Sequence, residues 1–147
     1  MSEEDTPLPS LSAQDALVAL MVLASASDEN VTTPELFSIA QIVDYLPSFE
    51  GYDADRIKTV SQTAFELLEE EDGLDAIFGL VRDALPETLY ETAYAMACDV
   101  VASDGKANPA ELRLLEEIRY ELNIDRLHAA SIEHAAGARH KKLPEQG

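Results

Sequence analysis

Apolar residues recur along the chain at three- and four-residue intervals, the spacing of one helix face. Leu17, Leu20, Met21 and Ala24 share a face of a first helix running from about Ser12 to Ser27. Ser12 and Asp15 make a capping-box pattern at its start. Asp28-Glu29-Asn30-Val31 reads as a turn, after which Thr32 and Glu35 form a second capping box and Pro34 fits a first helical turn. Leu36, Ile39, Ile42, Val43 and Leu46 predict the buried stripe of a second helix, stopped by Pro47. A loop carrying Phe49, Gly51 and Tyr52 follows. Asp53 or Asp55 then opens a third helix with Ile57, Val60, Ala64, Leu67 and Leu68 inward.

Glu69, Glu70, Glu71 and Asp72 place negative charge on the C-terminal end of that helix, against its dipole, and Gly73 marks the break. Leu74, Ile77, Phe78, Val81 and Leu85 line a fourth helix. Pro86 suits the first turn of a fifth, Glu87 to about Ser103, with Leu89, Ala93, Met96, Ala97 and Val100 inward. Its small residues predict the most buried helix of the chain. Leu112, Leu115, Ile118 and Leu122 mark a sixth, and an Ala-rich seventh with Leu127 and Ile132 covers about 125–139. No segment alternates strictly enough for a half-buried strand. The expected fold class is therefore all-α, about seven helices in one domain over 11–140. An acidic, Pro-containing tail at 1–10 is expected to be disordered, and a tail at 141–147 to be loose.

The pattern repeats. Shifting the chain by the 76 positions from Asp28 to Asp104 lays Ala26-Ser27-Asp28 over Ala102-Ser103-Asp104, Thr32 over Asn108 and Glu35 over Glu111. Leu36, Ile39 and Ile42 fall on Leu112, Leu115 and Ile118. Two copies of helix, turn, cap and helix predict two pseudo-symmetric helical-hairpin halves. Glu35 and Glu111 occupy the capping position, which stabilises a helix by accepting from the N-cap N–H. Asp28 and Asp104 stand near helix C-termini, where a carboxylate is unfavourable. A turn bond from the side chain to backbone two residues on is one structural reason for them. The functional alternative is a site for a hard divalent cation, Ca²⁺ or Mg²⁺, built from Asp28, Glu35, Asp104 and Glu111 of both copies. It is not an EF-hand, because the twelfth positions are Ile39 and Leu115 rather than a bidentate Glu.

Charge narrows the partners. The 147 residues carry a formal net charge of −19, which argues against nucleic acid, because phosphate neutralisation needs a basic face. It is compatible with cation binding, a basic partner or a solvated acidic surface. Residues 1–125 hold 27 acidic and 6 basic side chains, net −21, whereas 126–147 hold 4 basic and 2 acidic, net +2. The basic last helix is expected to lie against the acidic body. One cysteine, Cys98, excludes an intrachain disulfide and suits a reducing cytoplasm; its apolar setting predicts a buried small hydrophobe. No apolar run approaches a transmembrane span, and Ala16 to Ala26 lacks the length and basic flank of a signal peptide.

The stretch VVASDGKANPAELRLLEEIRYELNI resembles the TerB-like family, helical proteins linked to tellurite resistance. A related domain opens a membrane-anchored DnaJ-like co-chaperone. The resemblance rests on an apolar helix ending in Asp104-Gly105, a small turn, then Glu111-Leu112 and Leu122-Asn123-Ile124. The first copy, ASASDENVTTPELFSIAQIV, is similar but has Glu29 where the second has Gly105. The likeness spans Ala16 to Ile124. It implies an all-α fold of about seven helices, an acidic metal-binding surface at Asp28, Glu35, Asp104 and Glu111, and a role in membrane-associated stress or resistance complexes. A cytoplasmic protein peripheral to the inner membrane fits it.

Catalytic patterns are missing from the sequence. His128, His134 and His140 are six residues apart and do not share a face as metal ligands at i, i+4 would. No G-x-S-x-G, P-loop or G-x-G-x-x-G occurs. The expected function is a non-enzymatic domain binding divalent cation in a tellurite, metal or other stress response, with no organic cofactor. The alternative is a protein-interaction module without metal, using exposed aromatics such as Phe49, Tyr52 and Tyr120. A small-ligand pocket in the helical core is a third, remote option.

Overall fold

The computed structural model describes residues 11–25, 33–103, 105 and 107–144. Among them are seven α-helices and no strand: α1 (Ala13–Ser25), α2 (Thr33–Tyr45), α3 (Arg56–Leu68), α4 (Gly73–Ala84), α5 (Tyr90–Ala102), α6 (Pro109–Glu121) and α7 (Arg126–Arg139). Short 3₁₀ turns at Pro47–Phe49 and Glu87–Leu89 precede α3 and α5. Pro86 therefore caps a 3₁₀ turn rather than opening α5 directly. The expected tail at 1–10, residues 145–147 and the first turn at 26–32 lie outside the described residues.

The centre of the molecule is α1, not α5. Every residue of α1 from Asp15 to Ser25 is buried. An α-helix apolar on all sides can only be a core helix, and the one-sided stripe read from its sequence understates it. The reason lies in ALVALMVLA, where Val18, Ala19, Val22 and Leu23 are apolar between the stripe positions and are buried too. Its one buried hydroxyl, Ser25, donates back to the carbonyls of Met21 (3.1 Å) and Val22 (3.0 Å), so burial leaves it satisfied. α5 is next, with Ala93, Tyr94, Met96, Ala97, Cys98, Val100 and Val101 buried.

α1 packs most extensively on α5, and each of the two also touches both α2 and α6. The remaining helices divide between them: α3 and α4 cover α1, while α7 covers α5. α2 and α6 are each 13 residues long, and both their ends are offset by the 76 positions that relate the two sequence segments. Ile39 and Leu115, equivalent under that shift, are both buried. Leu36 and Leu112, also equivalent and expected in the buried stripes, are instead 52% exposed each. Both follow the buried first-turn glutamates, and the inward faces are set by Glu35, Ser38, Ile39 and Val43 in α2 and by Glu111, Leu114, Leu115 and Ile118 in α6.

The α3–α4 connection depends on one glycine. Asp72 takes a left-handed conformation (φ 61°), and a Cβ on Gly73 would lie 1.7 Å from the Leu67 carbonyl oxygen. Only glycine permits that approach. α3 ends at Leu68, directly before the acidic run. In α7 the buried residues are Ala129 and Ala136, with Leu127 76% exposed, so small side chains rather than large ones set its close fit to α5.

Candidate functional site

The second acidic turn is built around a helix start. Asn108 has extended backbone, and its side-chain oxygen accepts from the Glu111 N–H at 2.8 Å. The Glu111 carboxylate in return accepts from the Asn108 N–H at 3.1 Å. This is the reciprocal capping box expected from the sequence, with Pro109 at the first helical position. Glu111 is 3% exposed. Glu35, third residue of α2 as Glu111 is of α6, is 0% exposed. Asp28, its neighbour Thr32 and Asp104 lie outside the described residues. Among the described residues no three His, Cys, Asp or Glu side chains gather into a metal-sized cluster.

Gly105, between α5 and α6, has φ 87° and donates to the Ala102 carbonyl at 3.1 Å. That backbone favours glycine. A Cβ there would lie 3.4 Å from the Lys142 ammonium, so the Lys142 side chain packs beside Gly105.

One carboxylate cluster escaped sequence reasoning. Asp15, buried in the first turn of α1, accepts from Tyr52 Oη (2.8 Å), Arg56 Nε (3.0 Å) and Arg56 Nη2 (2.7 Å). The Ser12 N–H adds a longer bond at 3.4 Å, and Ser12 Oγ accepts from the Asp15 N–H at 3.0 Å. Burial opposes ionisation of Asp15, but the bonds from Arg56, Tyr52 and Ser12 outweigh it and hold the carboxyl below the usual range. Tyr52 is pushed up by burial and by that carboxylate. The cap with Ser12 was readable as a local spacing; the Tyr52 and Arg56 partners, about 40 residues away, were not.

In the second half, α7 meets α5 through charge, as the basic C-terminal segment led one to expect. His128 pairs with Glu91 (2.7 Å), and Arg139 (2.6 Å) and His140 (3.4 Å) both face Asp99. Tyr94 donates to Glu133 at 2.5 Å. The Glu91 bond raises the His128 pKa. Cys98 is buried, and burial pushes its thiol up to about 12, so it holds no thiolate near neutrality.

The aromatics offered as contact residues divide. Phe49 is buried and meets Tyr52 edge to face, centroids 5.4 Å apart. Tyr52 is half-buried and tied to Asp15, so both serve the fold. Only Tyr120 is exposed, at 80%. Exposed large apolar residues outside the predicted stripes include Phe37 and Tyr45 on α2, with Leu36 beside them, and Phe65 on α3. Between α1, α3 and α4 lies an apolar cavity of about 260 Å³ lined by Ala19, Val60, Ala64, Leu67 and Ile77, with Arg56 at its edge.

The architecture defines an acidic, all-helical domain wrapped around a central helix pair, with a buried glutamate opening each of two equivalent helices. A family model described as tellurite resistance protein TerB matches residues 14–134, from the first turn of α1 into α7. The chain belongs to the TerB family. No curated protein and no solved structure matches it. Among the described residues, no helix is long and apolar enough to cross a membrane.

Proposed function

We propose that this TerB-family domain is non-enzymatic and holds a divalent cation, Ca²⁺ or Mg²⁺, at its acidic turns as part of a tellurite, metal or other stress response. The observation that supports the reading most is the matched pair of buried glutamates, Glu35 and Glu111, third in helices of equal length that flank the same central pair. Capping does not remove a carboxylate from metal chemistry, because its two oxygens offer about four acceptor positions. Asp28 and Asp104 complete an all-oxygen donor set of the kind hard cations take. The net charge of −19 raises the local cation concentration around such a site. A cytoplasmic domain acting at the inner membrane through protein partners fits the family resemblance.

Calorimetric titration of the full chain with Ca²⁺ and Mg²⁺ tests the reading. One saturable event is expected, lost in both Asp28→Asn and Asp104→Asn because the two copies share the ion. Heat that is absent at millimolar cation, or that persists in both variants, contradicts it.

A further inference from the structure

The outer face of α2 is an unusual surface for so charged a protein. Leu36 is 52%, Phe37 63% and Tyr45 82% exposed, and the helix carries no basic residue in its last turn. Phe37, Gln41 and Tyr45 follow at i, i+4 and i+8 and so form one row, spanning ~12 Å at 1.5 Å per residue. Tyr45 stands between two hollows. One, of about 740 Å³, opens toward α5 and α7; Gln41, Ile42 and Asp44 line its α2 side, and Asp99, Arg139 and His140 line the other. The other, of about 410 Å³, opens toward the following loop and includes Asp44, Leu46 and Glu50.

We infer that this face docks a basic amphipathic helix of a partner protein, with Phe37 and Tyr45 as its apolar anchors. The charge pattern selects the occupant. Free carbonyl dipoles at a helix C-terminus attract cations, and Asp44 and Glu50 add two carboxylates at that end. Asp99 is already neutralised by Arg139 and His140, so Asp44 and Glu50 supply the charge a partner meets. A second copy of the chain would bring another net −19 to the contact, which disfavours self-association through it. Two turns of a facing helix match the row from Phe37 to Tyr45, and a Lys or Arg beyond them reaches the acidic end, the helix-in-groove mode of recognition. The inference does not depend on cation binding.

Two synthetic amphipathic helices, one Leu/Lys and one Leu/Glu, serve as probes in calorimetry with the full chain, in chelator. The Leu/Lys helix is expected to bind and the Leu/Glu helix not. Phe37→Ser and Tyr45→Ser each weaken binding about tenfold, the loss typical of an anchor residue, although neither changes the net charge. Tyr120→Ser and Leu127→Ser, equally exposed but elsewhere, leave it unchanged. All four variants replace exposed side chains, and an unaltered helical circular dichroism spectrum verifies the fold. Equal binding by all four variants would reduce the contact to diffuse electrostatics and overturn the inference. So would binding of both probes, or a dimer of the chain alone that Tyr45→Ser dissociates.

Discussion

The two halves of the molecule solve one problem twice and then part. Each has a core helix, α1 or α5, followed by a helix of 13 residues opened by a buried glutamate. Each core helix has an acid in its first turn, and these acids, Asp15 and Glu91, are themselves 76 positions apart. Each acid takes a cationic partner from the covering layer: Arg56 of α3 for Asp15, His128 of α7 for Glu91. The environments differ. The Asp15 side chain is 3% exposed and bonded by a permanent cation and a phenol; that of Glu91 is 51% exposed and faces a titratable imidazole. The inward faces coincide at Glu35 and Glu111, Ser38 and Leu114, and Ile39 and Leu115, whereas the outward faces are free to differ. α2 presents Phe37 and Tyr45; α6 presents Arg113, Glu116, Glu117 and Tyr120.

The largest test of the shared inner face is truncation. Ile39→Ala should cost ~3 kcal/mol, within the usual range for a buried aliphatic truncated to Ala. Leu115→Ala, at a position 8% rather than 1% exposed, should cost somewhat less. Chemical denaturation measures both, and a negligible cost at either position breaks the equivalence.

The first-turn acids come next. Removing Asp15 as Asp15→Asn should cost ~2 kcal/mol, the scale of hydrogen bonds to a charged group, reduced because Arg56 is half exposed. Its folded pKa lies below its unfolded value. Its contribution is therefore complete above about pH 4 and is lost as pH falls through the folded pKa. His128 behaves oppositely, since its folded pKa is raised. The Glu91 pair contributes fully below about pH 6.5 and fades as pH rises through the folded pKa. Melting curves should thus bring Asp15→Asn and the parent protein together in acid, and His128→Ala and the parent together in base. Convergence at the opposite ends would refute the assignment.

A smaller effect belongs to the cap. Asn108→Ala should cost ~1 kcal/mol, the usual loss for an N-cap side chain, and hydrogen exchange should loosen α6 at its first turn before its last. The smallest is expected for His128→Ala at neutral pH, where an exposed ion pair gives a barely measurable shift in melting temperature.

Helix number, order and most boundaries were legible because periodicity, proline and capping residues are local signals. The capping box at Asn108–Glu111 was read from four residues and is present. Burial was less legible. Leu36 and Leu112 looked like stripe residues because hydrophobicity does not say which of two adjacent faces a neighbour covers. α1 looked one-sided because its alanines and valines were discounted between larger residues. Phe49 and Tyr52 sit in a loop by sequence, yet Gln14 bonds the Ser48 and Glu50 carbonyls and draws that loop onto α1. The Asp15–Arg56 pair depends on chain folding over 41 residues, which no spacing encodes. Of the four carboxylates assigned to a cation, Glu35 and Glu111 are placed, both buried at helix starts.

The most direct test of the cation reading is an NMR titration of the full, isotope-labelled chain with Ca²⁺. The account predicts that the amides of Asp28, Glu35, Asp104 and Glu111 move together along one saturation curve. Stationary resonances at millimolar Ca²⁺, or shifts confined to one of the two turns, would contradict a site shared between the halves.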